Sequence, residues 1–143
     1  MTRIQRSAIV PFQPAQMYAL VSKVEEYPMH FRWCAAAHVL ERGENYEIAQ
    51  LQLRFAGMTQ RFTTRNSLTP PSRLHMQLVE GPLKALDGVF TFTPLGHEGC
   101  RIALELGFEF AGRLWGRALQ LGFQGLADRL VDDFCDAARR TYG

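Results

Sequence analysis

RLWGRALQLGFQGLADRLVDDFCDAARRTY, from Arg113 to Tyr142, is the stretch of the sequence that decides the fold. Its apolar side chains recur at steps of four, four, three, four, four and three residues, which is the spacing of a helix with one apolar face. They are Trp115, Leu119, Phe123, Leu126, Leu130, Phe134 and Ala137. We therefore predict one long helix over residues 113–142, packed across the face of a sheet.

The first half of this predicted helix is unusual. It contains three glycines, and each costs about 1 kcal/mol relative to alanine in a helix interior. They are Gly116, Gly122 and Gly125. It also has a second apolar stripe, formed by Leu114, Ala118 and Leu121, and two cations, Arg113 and Arg117. Two interpretations stay open: an irregular helix start, or a mobile or docking segment whose arginines contact an anionic partner.

Upstream of the helix, apolar and polar residues alternate with period two, which indicates antiparallel strands. Strands are predicted at 3–11, 39–42, 46–55, 59–68, 74–78, 86–94 and 101–110. After the first strand, Pro14 begins a helix that Tyr27-Pro28 interrupts, because the residue before proline avoids the α region. Residues 29–34 are predicted to form a short helical turn or a loop. The predicted fold class is α+β: one domain over 1–143, with two short helices after the first strand. Its curved antiparallel sheet of six to seven strands wraps around the long C-terminal helix.

Composition limits the class of protein. The chain has 143 residues, 47% of them hydrophobic and 21% charged, which is ordinary for one soluble globular domain. A net charge of +2 is too small to indicate nucleic-acid binding by itself. Cys34, Cys100 and Cys135 form no close pair, which favours reduced thiols and a cytoplasmic protein. We expect neither a signal peptide nor a membrane-spanning segment, and at most peripheral membrane contact.

A curved sheet with one helix across it can enclose an apolar space. An ordinary packed core is the alternative interpretation. The weakened helix start and the many large side chains favour an apolar tunnel that binds a hydrophobic small molecule. Its predicted lining is Phe31, Trp33, Phe55, Phe62, Met76, Leu78, Phe90, Phe92, Leu119, Phe123, Leu126 and Leu130.

Several short stretches, in order along essentially the whole chain, also carry a family resemblance. They are Arg6–Val10, Met17–Val21, Val24–Pro28, Phe31–Cys34, Phe62–Asn66, Val79–Lys84 and Phe90–Leu95. Through them the sequence resembles the START-like helix-grip superfamily, and within it the coenzyme Q-binding and ribosome association toxin RatA family. There are two departures: Arg32 stands where a proline usually precedes Trp33-Cys34, and Val89-Phe90 replaces a small residue and a tryptophan.

The resemblance implies two functions. The first is non-enzymatic binding of a polyprenyl quinone such as ubiquinone, or another lipid, in support of cellular respiration. The second is a toxin activity in which the protein binds the large ribosomal subunit and blocks subunit association, with a small antitoxin protein as a possible partner. We rank the quinone carrier first, the ribosome-directed toxin second and a cyclase-type enzyme third.

Catalytic and metal motifs are not evident. His30, His38, His75 and His97 have no metal-ligand spacing. Candidates for acid–base chemistry are Glu80, Asp87, Arg65 and His75. Alternation puts Arg65 and His75 on the outer face, whereas Glu80 could point inward or lie at the rim.

Arg54, Arg61, Arg65 and Arg101 are candidates for an outer-face cluster that contacts ribosomal RNA, with scattered surface arginines as the alternative. No DNA partner and no metal or catalytic residue is predicted.

Overall fold

Seven strands and three helices make up the fold of the described residues. The structure, a computed structural model, describes residues 1–112 and 115–143. The strands are β1 (Thr2–Val10), β2 (Cys34–Arg42), β3 (Tyr46–Phe55), β4 (Met58–Thr69), β5 (Arg73–Glu80), β6 (Leu83–Leu95) and β7 (Gly99–Phe110). The helices are α1 (Pro14–Ser22), α2 (Tyr27–His30) and α3 (Arg117–Tyr142), with a 3₁₀ turn at Val24–Glu26.

All seven strands belong to one antiparallel sheet, in the order β1-β7-β6-β5-β4-β3-β2. From β2 to β7 each strand pairs with the next one in sequence, and β1 pairs with β7. The apolar residues of the strands alternate inward, and α3 covers them with a face that includes Phe123, Leu126 and Phe134, all buried. The predicted α+β helix-grip architecture is confirmed.

The hairpin between β3 and β4 reaches the start of α3. Its turn is Ala56-Gly57, and both residues have positive φ, 51° and 74°, as a two-residue hairpin of the type I′ class requires. At Gly122 an added Cβ would lie 3.0 Å from the Cβ of Ala56 and 3.2 Å from its backbone nitrogen. Gly122 therefore allows the hairpin to contact the helix backbone.

The helix begins later than predicted. α3 starts at Arg117, with Gly116 as its extended N-cap residue, because glycine at this position does not favour continuing the helix backward. Trp115 precedes the helix, is buried, and donates its indole N–H to the carbonyl of Pro82. The prediction that residue 115 is helical is therefore wrong. Arg113 and Leu114, the other residues of the predicted first turn, lie outside the described residues.

Two other boundaries differ from the prediction. β2 begins at Cys34, five residues before the predicted start at Val39, because Ala35–Ala37 show no apolar–polar alternation in the sequence. The first helical segment stops at Ser22, and Pro28 lies in the first turn of α2, where its missing N–H is tolerated.

The glycines of α3 give a matched pair of substitutions. Gly122→Ala is expected to destabilise the protein, because the new methyl group would press on the backbone of Ala56 and overpacking costs about 1–3 kcal/mol. Gly125→Ala is expected to stabilise it by up to about 1 kcal/mol, since nothing lies within 4 Å of the added Cβ. Urea unfolding of the two variants measures both changes. Equal effects of the two substitutions would show that the hairpin does not rest on Gly122.

Candidate functional site

A cavity of about 80 Å³ lies between the inner face of the sheet and α3. Side chains from five strands, from α3, and from the segment that leads into β2 surround it. The lining consists of Tyr27, Trp33, Leu51, Leu53, Phe62, Thr64, Met76, Leu86, Phe90, Leu106, Phe123, Leu126, Ala127, Leu130 and Phe134. The fold thus contains an apolar space at the predicted interface.

The structure brings some of the predicted lining residues to this cavity and leaves others away from it. Those at the cavity are Trp33, Phe62, Met76, Phe90, Phe123, Leu126 and Leu130. Those outside the lining are Phe31, Phe55, Leu78, Phe92 and Leu119, which pack in the surrounding core. Binding of a ligand by any of them stays a prediction.

The outlying residues have partners that explain their positions. Phe31 stacks on Trp33 with ring centroids 4.7 Å apart, and Phe55 stacks on Trp115 at 5.7 Å. Phe92 meets the ring of Tyr18 edge-on at 5.6 Å. These three rings therefore pack on neighbouring aromatic side chains and are not part of the cavity lining.

Sequence reasoning missed eight lining residues. They are Tyr27, Leu51, Leu53, Thr64, Leu86, Leu106, Ala127 and Phe134. A signal was present for some of them, because Leu51 and Leu53 alternate in phase with Phe55, and Phe134 lies on the apolar stripe of the helix. Tyr27 comes from a helical turn outside the sheet, and neither period predicts its position.

The polar atoms of the lining already have partners. The hydroxyl of Tyr27 donates to the carbonyl of Val21. The indole Nε1 of Trp33 donates to Oδ2 of Asp133 at 2.9 Å, and Thr64 Oγ1 donates to Oδ1 of its neighbour Asn66 at 3.0 Å. The lining is therefore suited to hold an apolar group in place.

Titratable groups next to the cavity are kept neutral. Burial, with smaller contributions from Cys34 and Glu47, raises the pKa of Tyr27. Burial also raises the pKa of the Cys34 thiol to about 11, although the backbone of Ala36 and the charge of Arg54 act in the opposite direction. Both groups hold their protons at neutral pH, so neither is activated as a nucleophile or a base.

The acid–base candidates lie on the outer face of the sheet. His75 Nε2 lies 3.1 Å from both carboxylate oxygens of Asp87, and the guanidinium of Arg65 lies 4.0 Å above the ring of Tyr46. The possibility that Glu80 points inward is wrong: it is exposed.

A register shift explains the position of Glu80. The shift between Thr63 and Thr64 sets Glu80 opposite Thr63. Since Phe62 and Thr64 line the cavity, Thr63 and the residue opposite it face outward.

The predicted cluster of Arg54, Arg61, Arg65 and Arg101 is wrong in one member. Arg54 and Arg61 are on the adjacent strands β3 and β4, whereas Arg101 is on β7, which lies beyond β5 and β6. Arg101 donates to Ser7 Oγ at 3.2 Å instead.

Within residues 1–112 and 115–143, no group of three or more His, Cys, Asp or Glu side chains could hold a metal ion. None of the helices there is long and apolar enough to cross a membrane.

Comparison with known proteins extends these observations. The family model described as polyketide cyclase / dehydrase and lipid transport matches residues 10–135. The chain is 41% identical over 142 residues to the ribosome association toxin RatA of Pseudomonas aeruginosa, covering 99% of each protein. It is 27% identical to the mitochondrial coenzyme Q-binding protein COQ10 homolog B of Xenopus laevis, covering 96% of this chain and 58% of that protein.

A solved structure agrees in fold. A START superfamily protein from Mycobacterium smegmatis superposes with a TM-score of 0.83 at 15% identity, over 97% of this chain and 98% of that one. This likeness concerns the fold, whereas the family model and the RatA relative show that the chain belongs to the polyketide cyclase / dehydrase and lipid transport family, in the branch of ribosome association toxin RatA.

Proposed function

We propose that the protein binds the large ribosomal subunit and blocks its association with the small subunit. The observation that carries this proposal is the 41% identity, over 99% of both chains, to a protein named ribosome association toxin. The coenzyme Q-binding relative is more distant, at 27% identity and 58% of its own length. This order reverses the ranking that the sequence alone suggested.

The size of the cavity also favours ribosome binding over quinone binding. At about 80 Å³ it is smaller than the engineered cavity of about 150 Å³ that binds benzene. A substituted quinone ring with a polyprenyl chain is larger than benzene, so the cavity at its present size is too small for it. Carrying such a ligand would require the cavity to widen.

Sedimentation tests the proposal directly. Purified protein is mixed with separated ribosomal subunits, and the mixture is run on a sucrose gradient at a magnesium concentration that supports association. We expect the protein to sediment with the large subunit and not with the small one. The fraction of joined ribosomes should fall as protein is added. Equal binding to both subunits, or an unchanged fraction of joined ribosomes, would contradict the proposal.

A second candidate function, binding of a hydrophobic ligand, is favoured by the apolar lining itself. Its polar atoms are already engaged, so the lining offers binding without acid–base chemistry, and we infer a non-enzymatic role. Native mass spectrometry of the purified protein is the test. A bound quinone or lipid would support this candidate, and an empty protein that still sediments with large subunits would exclude it as a requirement for ribosome binding.

The remaining partners follow from these two candidates. An antitoxin protein would be the natural regulator of a ribosome-directed activity, and it stays a prediction. A cytoplasmic location is part of the same proposal, since ribosomes are there.

A further inference from the structure

Five arginines follow one another from strands β4 and β3, across the segment before β2, to helix α3. They are Arg61, Arg54, Arg32, Arg129 and Arg140, and we call them the arginine band. Each is exposed. The ion pairs of the described residues use Arg6, Arg42, Lys84 and Arg139 as their lysine and arginine members, so the band takes no part in them.

The outer face of the sheet supplies the first part of the band. Arg54 on β3 pairs with Thr59 on β4, two residues before Arg61. Arg54 and Arg61 are therefore diagonal neighbours on one face, with a separation of about 7–8 Å. The Nη1 atom of Arg54 donates to the carbonyl of Arg32 at 3.2 Å. The arginine band therefore continues from the sheet to the segment before β2.

The second part of the band lines a groove between this segment and α3. The groove has a volume of about 260 Å³, and Arg32, Arg129 and Arg140 line it. Arg140 donates to the carbonyl of His30 at 3.1 Å. The band thus continues from the sheet across the groove to the helix.

The two carboxylates that line the groove have partners other than the arginines of the band. Asp133 accepts the indole N–H of Trp33 at 2.9 Å, and Asp136 pairs with Arg139 at 2.8 Å. The ion pairs of the described residues join none of these carboxylates to an arginine of the band. The N–H groups that Arg54 and Arg140 do not donate to backbone carbonyls can therefore bind an external anion. Because the arginines of the band form a row and not one pocket, several anionic groups in succession would match them better than a single phosphate.

We propose that the arginine band binds the sugar–phosphate backbone of RNA. Guanidinium groups form paired hydrogen bonds with phosphate oxygens, and release of counterions from the polyanion drives such binding without sequence specificity. A net charge of only +2 for the chain means that the local arrangement provides the attraction. The inference rests on the proposed function, in which the RNA is that of the large ribosomal subunit.

The test compares two triple variants with the same net charge. The band variant combines Arg32→Gln, Arg54→Gln and Arg129→Gln. The control variant combines three exposed arginines outside the band, Arg3→Gln, Arg73→Gln and Arg101→Gln. Circular dichroism and thermal melting verify that both keep the wild-type fold.

Binding is measured to a fluorescent fragment of large-subunit ribosomal RNA over a series of salt concentrations, and to intact large subunits. For the band variant we expect weaker binding to both. The slope of log Kobs against log salt should fall by about two to three, one unit or slightly less for each lost phosphate contact. The control variant should bind as the wild type does.

The outcomes separate this inference from the proposed function. If RNA binding weakens equally in both variants, or does not weaken in the band variant, the proposed role of the arginine band is wrong. If the wild type binds RNA through the band but does not bind intact subunits, the RNA-binding role of the band is supported and the proposed function is wrong. If the band instead mediates binding to phosphatidylglycerol vesicles and not to RNA, the RNA assignment is overturned in favour of a membrane surface. Binding to neither would overturn it as well.

Discussion

Phe134→Ala is expected to lower the free energy of unfolding by about 3–5 kcal/mol, the usual loss for a buried phenylalanine. The side chain is 1% exposed. Its ring packs edge-on against Tyr27, Phe31 and Phe90, with centroids 5.5, 5.0 and 5.7 Å away. One substitution would therefore remove the shared partner of three rings that anchor α3, one from the sheet and two from α2 and the segment after it.

Leu121→Ala is the matched control for this variant. Leu121 is on the same helix but is 57% exposed, so its loss should change stability by no more than about 0.5 kcal/mol. Both variants are measured by urea unfolding with the tryptophan fluorescence as the signal. Similar losses from the two substitutions would mean that α3 is not anchored through Phe134.

Leu126→Arg is expected to have an effect of comparable size through a different cause. Leu126 is 4% exposed and lines the cavity, where a guanidinium group would be buried without a counterion. An uncompensated buried charge costs about 3–5 kcal/mol, which is a large part of the total stability of a small domain. The exposed position again gives a control, since Leu121→Arg keeps the new charge in water.

Circular dichroism must accompany any ligand assay on the Leu126→Arg variant. If the variant remains folded, uptake of an apolar ligand should be lost. The arginine side chain would fill the cavity, and its charge would disfavour an apolar ligand there. A folded variant with near-wild-type stability would show that water reaches residue 126, and the cavity would then not be a dry apolar site. A folded variant that still binds the ligand would place the binding site elsewhere.

The fold was largely predictable because two periodicities of apolar residues, one for strands and one for the helix, determine it. The alternation in 101–110 gives the strand that pairs with both β1 and β6. The three- and four-residue spacing after Leu119 gives the buried face of α3. Each pattern arises because the apolar side chains that stabilise the fold are the ones that are buried. The positions of these side chains can be read from the sequence.

The site was less predictable because facing inward does not determine position along the interface. Phe62 and Phe92 both face inward and are both 2% exposed, yet Phe62 lines the cavity and Phe92 packs on Tyr18. That difference depends on how α1 and α3 cross the curved sheet. A pattern of residues in one strand has no information about the crossing.

The same limit applies to the arginine band. Alternation predicts that Arg54 and Arg61 share a face, and they do so on paired strands. It cannot predict that Arg32 and Arg129 join them, because these residues are brought together by contacts between distant parts of the chain. It also grouped Arg101 with them, since alternation specifies the face of a strand but not its place in the sheet.

The pairing of β1 with β7 has a consequence for how the chain acquires its fold during synthesis. Thr2 pairs with Phe108 and Val10 pairs with Cys100, so β1 is translated well before β7, the strand that it pairs with. Strands β2 to β7 can form hairpins in succession as they emerge, while β1 remains unpaired and exposes its backbone N–H and C=O groups as an edge strand does. A translational pause shortly before residue 110 would prolong this interval and favour aggregation of the nascent chain.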